Sequence, residues 1–162
     1  MTTSFELTTE DVRGRPLTVF RDRHRSLRSL LDASLEFGDR DYLVDGDRRI
    51  SYADHHAAAG RVAQWLVSQG VGPGDRVAIL GRNSIEWVVT FWATVSLGAI
   101  AVGLNAWWSA EELAYGIGDC EPKIVVDDIS VVTPFLSGDP VLLPEVDIDE
   151  DEPAVILYTS GT

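Results

Sequence analysis

RVAILGRNSIEWVVTFWATVSLGAIAVGL, residues 76–104, starts and finishes in short apolar runs, with a longer apolar segment between them. RVAILG reads as a strand. Asn83 reads as the cap of a helix with Glu86 three positions on, and Ile85, Val88, Val89 and Trp92 form its inward face. Gly98 breaks the run where such a helix ends, and Ala99 to Leu104 reads as the next strand. Strand, helix and strand in this order form a βαβ unit, which demands parallel strands and a right-handed crossover. A membrane span from Trp87 to Trp108 competes with this reading, since that stretch carries no charge and has Trp at both ends. Its flanks, Glu86 on one side and Glu111 and Glu112 on the other, show no basic bias, and Thr90, Thr94, Ser96, Gly98, Gly103 and Asn105 dilute its apolarity. The buried helix and strand are therefore preferred.

The alternation continues on both sides. Ser51 begins S-x-x-D, a helix cap, and Ala58, Val62, Trp65 and Leu66 make one helical stripe ending near Gly70. Ser109 to Glu112, SAEE, is a full capping box opening a helix through Leu113 and Ile117. Ile124 to Asp127 and Ala154 to Tyr158 read as further buried strands. The expected class is α/β, a largely parallel sheet of βαβ units with flanking helices. Upstream, YLVDGDRRISY surrounds Asp45-Gly46, the strongest short-range signal for a hairpin, which is expected to lie outside the main sheet. Leu27, Leu30, Leu31 and Leu35 place a helix from about Arg25 to Glu36, stopping at Gly38. Residues 1–22 read as an irregular arm and 23–162 as one incomplete domain. From Asp128 to Pro153 the chain reads as turn-rich and acidic, with Asp147 to Glu152, DIDEDE, as a solvated connection.

A chain of 162 residues with 45% hydrophobic and 24% charged residues has the composition of one folded, soluble domain. Its net charge of -13 opposes nucleic acid and anionic membrane as partners, because both are bound by Lys and Arg. An anionic ligand must then be met by local donors such as backbone N–H groups. The single Cys120 excludes an internal disulfide, which suits a reducing cytoplasm, and the opening MTTSFELTTEDVRGRP has no apolar stretch that would make it a secretory signal.

Few residues suggest chemistry. The glycines of GVGPGDR, Gly70 to Arg76, follow a helix and precede a strand, the reverse of a dinucleotide phosphate turn, so they read as a connecting turn. His24, His55 and His56 have no ligand partners at metal-binding spacing, and adjacent histidines on a helix point about 100° apart. A solvated or half-buried place suits them best. Cys120 has no cationic neighbour except Lys123 and reads as an inert thiol. Trp107 and Trp108 could line an apolar pocket, though core packing is preferred. Thr159, Ser160, Gly161 and Thr162 differ in following a strand, and ligands bind outside the carboxyl ends of the strands in open α/β sheets. Their hydroxyls and N–H groups can donate to phosphate, and Gly161 permits close approach. Taken alone, an ordinary turn explains them as well.

Read together, residues 50–128, ISYADHHAAAGRVAQWLVSQGVGPGDRVAILGRNSIEWVVTFWATVSLGAIAVGLNAWWSAEELAYGIGDCEPKIVVDD, and the closing AVILYTSGT resemble the adenylate-forming, or AMP-binding, superfamily. NAWWSAEEL looks most like the fatty-acyl-CoA synthetases within it. The resemblance implies ATP-dependent acid–thiol ligation: a carboxylate attacks the α-phosphate of ATP, releasing pyrophosphate, and coenzyme A then takes the acyl group. It implies ATP, Mg2+ and coenzyme A for the parent enzyme, a carboxylic acid as substrate, and Thr159, Ser160, Gly161 and Thr162 as phosphate contacts. A glutamate for Mg2+, a ribose-binding aspartate and a carboxy-terminal domain with a catalytic lysine belong to the same resemblance and have no counterpart in these 162 residues. The expectation is therefore an amino-terminal piece of a ligase, inactive alone and binding no cofactor tightly. The alternative is a non-catalytic interaction module that self-associates or joins a companion carboxy-terminal chain.

Overall fold

The computed structural model of the chain describes residues 5–159. Its first feature corrects the expected irregular arm. Strands β1 (Leu7–Val12) and β2 (Arg15–Phe20) pair antiparallel, from Leu7 opposite Phe20 to Val12 opposite Arg15. Arg13 and Gly14 close the turn at φ 53 and 76, and the Gly14 N–H donates to the Asp11 carboxylate at 2.9 Å. A two-stranded ribbon is marginal by itself, and here charge fastens it. Arg23 and Arg25 each bridge Glu10 of β1 and Glu150, with four N···O distances between 2.6 and 2.9 Å. The two guanidinium hydrogen bonds hold the Glu10 carboxyl down at about 2. Glu150 lies in the acidic run expected to be solvated, so part of that run is an anchor for the ribbon.

Helix α1 (Leu27–Ala33) is shorter than its leucine spacing predicts, because the chain tightens into a 3-10 turn at Ser34–Phe37 before Gly38. Strands β3 (Asp41–Asp45) and β4 (Arg48–Ser51) form the hairpin expected around Asp45-Gly46, separate from the main sheet, with Gly46 at φ 60. Ser51 then caps α2 (Tyr52–Ser68) by accepting from the Asp54 N–H.

The main sheet contains β5 (Arg76–Leu80), β6 (Ile100–Leu104), β7 (Ile124–Val126) and β8 (Val155–Leu157) in the order β7-β5-β6-β8, every pairing parallel. Helices α3 (Ile85–Ser96) and α4 (Ala110–Cys120) make the crossovers. Alternation along the strands feeds two cores. Val77, Ile79 and Ala101 point to the side packed by α2 and α3, while Ala78 and Val102 point to the side packed by α4. Each fully buried Val or Leu contributes about 1.5–3 kcal/mol. The cap of α3 is Ser84, which accepts from the Trp87 N–H at 3.2 Å, one residue later than the expected Asn83. The expected turn-rich span after β7 contains a 3-10 helix, Ile129–Leu136, whose Val132 is wholly buried. Strand β8, expected to be buried, is half open: it bonds to β6 along one side only among the described residues, and Leu157 is 75% exposed. No helix among the described residues is long and apolar enough to cross a membrane.

Glu86 of α3 is the one buried carboxylate among the described residues. Arg48 of β4 meets it at 2.6 and 3.0 Å, and the Thr133 hydroxyl donates at 3.2 Å. The Arg48 hydrogen bond holds the Glu86 carboxyl at about 2, against the opposing effect of burial. Glu86→Ala unties the hairpin from α3 and from the 3-10 helix. Arg48 remains half exposed and can rehydrate, so the expected loss is about 1–2 kcal/mol rather than the larger cost of stranding a deeply buried charge. Urea denaturation of the two chains at neutral pH measures it, and equal midpoints would show that the pair contributes nothing.

Candidate functional site

The carboxyl ends of β6 and β8 meet the start of α4, and the residues that matter lie at that junction. Ser109 caps α4 with the full box the sequence predicts: its hydroxyl accepts from the Glu112 N–H and the Glu112 carboxylate accepts from the Ser109 N–H. Those two contacts hold the Glu112 carboxyl below its ordinary range. Trp108, just before the cap, lies over Gly116 about two turns further on. A Cβ at Gly116 would stand 2.7 Å from the Trp108 ring, closer than real Cβ contacts come, so glycine is the residue this packing admits. The Trp108 ring in turn meets Tyr158 edge to face, centroids 5.4 Å apart.

Tyr158 follows β8 directly, and its side chain is fixed by two hydrogen bonds. The hydroxyl lies 2.8 Å from the Asp119 carboxylate and 3.0 Å from the Gly116 carbonyl. Burial and the Asp119 contact push its phenol above the ordinary range. The chain leaving β8 is thereby tied to the last turn of α4, which fixes where Thr159 stands. The sequence offered a signal for this, since Gly116 and Asp119 are three apart and share a helix face, but nothing in it named Tyr158 as their partner. Tyr158→Phe is expected to cost about 1–2 kcal/mol, because Asp119 and the Gly116 carbonyl lose their donor. Thermal unfolding compared with Asp119→Asn tests it, and an unchanged melting temperature in Tyr158→Phe would count against the tether.

Thr159 emerges beyond this anchor, exposed, on a cavity of about 660 Å3. Trp108, Glu111, Tyr115 and Leu157 complete most of its wall. Among the four residues assigned to phosphate by sequence, Thr159 therefore sits at the strand end where a ligand is bound in this class. Ser160, Gly161 and Thr162 lie outside the described residues. The described wall supplies the hydroxyls of Thr159, Tyr115 and Tyr158 and two carboxylates, Glu111 and Glu112, with no Lys or Arg. By itself it does not fit the charge of a triphosphate, which needs N–H donors or cations from elsewhere.

The remaining candidates are dispersed. Trp107, expected in the core, is 78% exposed with the Arg82 guanidinium 6.0 Å over its ring, whereas Trp108 is half buried as described. His55 is 1% exposed, deeper than the half-buried place expected, and neither ring nitrogen has a hydrogen-bond partner among the described residues. His56 instead meets Asp32 at 2.9 Å. Cys120 is a buried free thiol. The described residues contain no cluster of three or more His, Cys, Asp or Glu able to hold a metal.

A parallel α/β sheet whose strand ends frame a ligand cavity defines a nucleotide- or small-molecule-binding class of domain. Within that class the chain belongs to the AMP-binding enzyme family, whose model matches residues 31–162. It is 39% identical over 116 residues to the medium/long-chain-fatty-acid–CoA ligase FadD6 of Mycobacterium tuberculosis, covering 72% of this chain and 18% of that protein. It is 33% identical over 141 residues to the long-chain-fatty-acid–CoA ligase FadD13 of the same organism, covering 72% of this chain and 28% of that protein. Among solved structures it is similar to MatB from Rhodopseudomonas palustris, known both apo and with ATP bound. The TM-score is 0.74 at 32% identity, over 86% of this chain and 33% of MatB. The chain thus spans between 18% and 33% of the length of these relatives.

Proposed function

We propose that these residues form the leading part of an ATP-dependent acid–thiol ligase whose substrate is a fatty acid. The observation that carries the reading is the match of residues 31–162 to the AMP-binding family together with the 39% identity to a fatty-acid–CoA ligase. In such a ligase ATP with Mg2+ supplies the adenylate and coenzyme A the accepting thiol. On this chain Thr159, Ser160, Gly161 and Thr162 are the proposed phosphate contacts, and Tyr158 holds Thr159 at the mouth of the cavity. A cytoplasmic place accompanies the proposal.

The 162-residue chain alone is proposed to be inactive. Support comes from the cavity wall, whose described residues offer hydroxyls and carboxylates but no cation, and from the small share of its relatives' length that the chain spans. Loss of one preorganised donor costs on the order of 100-fold in rate, and several are lacking here. Purified chain incubated with ATP, Mg2+ and a long-chain fatty acid is expected to release no pyrophosphate above the protein-free rate. Release at the rate of a full-length fatty-acid–CoA ligase would overturn this.

A second reading rests on the open side of β8 and the 75% exposure of Leu157. Unpaired edges and apolar surface promote association, so the chain would act as a self-associating, non-catalytic module. Light scattering across concentrations decides between them, since a monomer throughout removes the second reading.

A further inference from the structure

Helix α1 and the 3-10 turn after it stand over β3, α2 and α3 and leave a cavity of about 360 Å3. That volume lies within the roughly 300–1,000 Å3 of small-molecule pockets. Four aromatic rings line it, those of Phe37, Tyr42, Tyr52 and Trp92. Phe37 and Tyr52 lie 4.8 Å apart and tilted 43°, and Tyr52 and Tyr42 lie 4.6 Å apart and tilted 41°, so successive rings turn and the wall curves. The Trp92 indole N–H donates to the Tyr42 hydroxyl at 3.0 Å, which fixes these two rings against each other. Phe37 and Leu30, 37% and 44% exposed, leave the mouth open to solvent.

The charges around the wall select the occupant. Glu36 lines the cavity, and no Lys or Arg does; His24 is the other titratable group in the lining besides the two tyrosines. Arg40 lies outside the lining with its guanidinium 5.8 Å over the Phe37 ring, so that ring already accepts a cation. An anion entering the cavity would meet the Glu36 carboxylate on a chain of net charge -13. A strongly hydrated small ion would lose its water to rings that replace it poorly. An alkylated ammonium has apolar methyl groups for Leu30 and the rings, and a diffuse positive charge for the ring faces and Glu36.

We propose that this cavity is a binding site for a small quaternary or tertiary ammonium compound, held by cation–π contact with Phe37, Tyr42, Tyr52 and Trp92 and by the Glu36 carboxylate. The site is separate from the Thr159 cavity and does not depend on the ligase reading. Cation–π contacts are worth about 0.5–1 kcal/mol each when exposed, so two or more of them amount to at least about 1 kcal/mol and the positive charge should improve binding at least about fivefold.

The test compares choline with its uncharged isostere 3,3-dimethylbutan-1-ol, each titrated into the full 162-residue chain while the indole N–H signal of Trp92 is followed by NMR. Choline is expected to shift that signal and to bind at least fivefold more tightly than the alcohol, as the ring contacts require. Glu36→Gln, at an exposed position, is expected to weaken choline and leave the alcohol unchanged, and Phe37→Leu to weaken choline more than the alcohol. Equal affinity for the two ligands would overturn the cationic site. So would shifts that spare Trp92, or no shift at millimolar choline.

Discussion

Replacing Gly60 by alanine is expected to destabilise the chain by about 3 kcal/mol or more, although alanine is the better helix former by about 1 kcal/mol. Gly60 lies inside α2, and a Cβ there would run into the Val141 carbonyl oxygen and stand 3.2 Å from its carbon. The obstacle is backbone, so no side chain can swing aside. The segment it would displace is gripped by the same helix: Arg61 donates to the carbonyls of Phe135, Gly138 and Asp139 at 2.7, 3.0 and 3.0 Å. Leu143, buried at 7% exposure, completes the contact. Making room for one methyl group therefore means detaching a strap of several residues and exposing the core beneath it. Gly118→Ala in α4 is the control, because no atom lies within 4 Å of a Cβ there, and it should leave stability unchanged or raise it by up to about 1 kcal/mol. Urea denaturation of the two variants beside the native chain gives both numbers, and equal midpoints for Gly60→Ala and the native chain would refute the close approach.

That glycine also marks the boundary of what the sequence could disclose. Period and capping chemistry are local, and the helices and strands they govern were legible: the βαβ alternation, the Asp45-Gly46 hairpin, the Ser51 cap and the Ser109 box all stand where local chemistry puts them. Long-range partners were not. Nothing in AAAGRV says that the glycine faces another segment's carbonyl, and nothing in DIDEDE says that Glu150 will hold two arginines from the link between β2 and α1. The β1–β2 ribbon was missed because neither strand contains a fully buried residue, and the half-buried positions of β1, Thr8, Glu10 and Val12, are of mixed polarity and mark no apolar alternation. Ser84 and Asn83 are both competent caps, and only the geometry of the β5–α3 turn chooses between them. At the Thr159 cavity the sequence located the strand end correctly, whereas the Tyr158–Asp119 tether depends on α4 packing beside β8.

Acid should weaken the fold before its carboxylates are titrated, and His55 is the reason. Its ring is 1% exposed, packed 4.5 Å from the Tyr42 ring and 6.3 Å from that of Trp92, with both nitrogens unpartnered among the described residues. Burial, with a smaller push from His56, lowers its pKa from 6.5 to about 4. The folded chain thus keeps His55 neutral where the unfolded chain protonates it. Above pH 6.5 neither state carries the extra proton and nothing is lost; as pH falls from 6.5 to 4 the unfolded state gains it first, and stability drains away. The full shift corresponds to about 3 kcal/mol by pH 4. Glu86, held at about 2 from 4.5, adds its own loss only as pH falls below about 5, because its stabilisation is complete above 4.5. The two contributions therefore separate along the pH axis. His55→Leu removes the titrating ring and its orphaned nitrogens, so it is expected to match or exceed the native chain at neutral pH, where an unmet buried polar atom costs about 1–3 kcal/mol. Its urea midpoint should stay flat between pH 6.5 and 5 while that of the native chain falls. Parallel declines in the two chains over that interval would mean that His55 reaches water in the folded state.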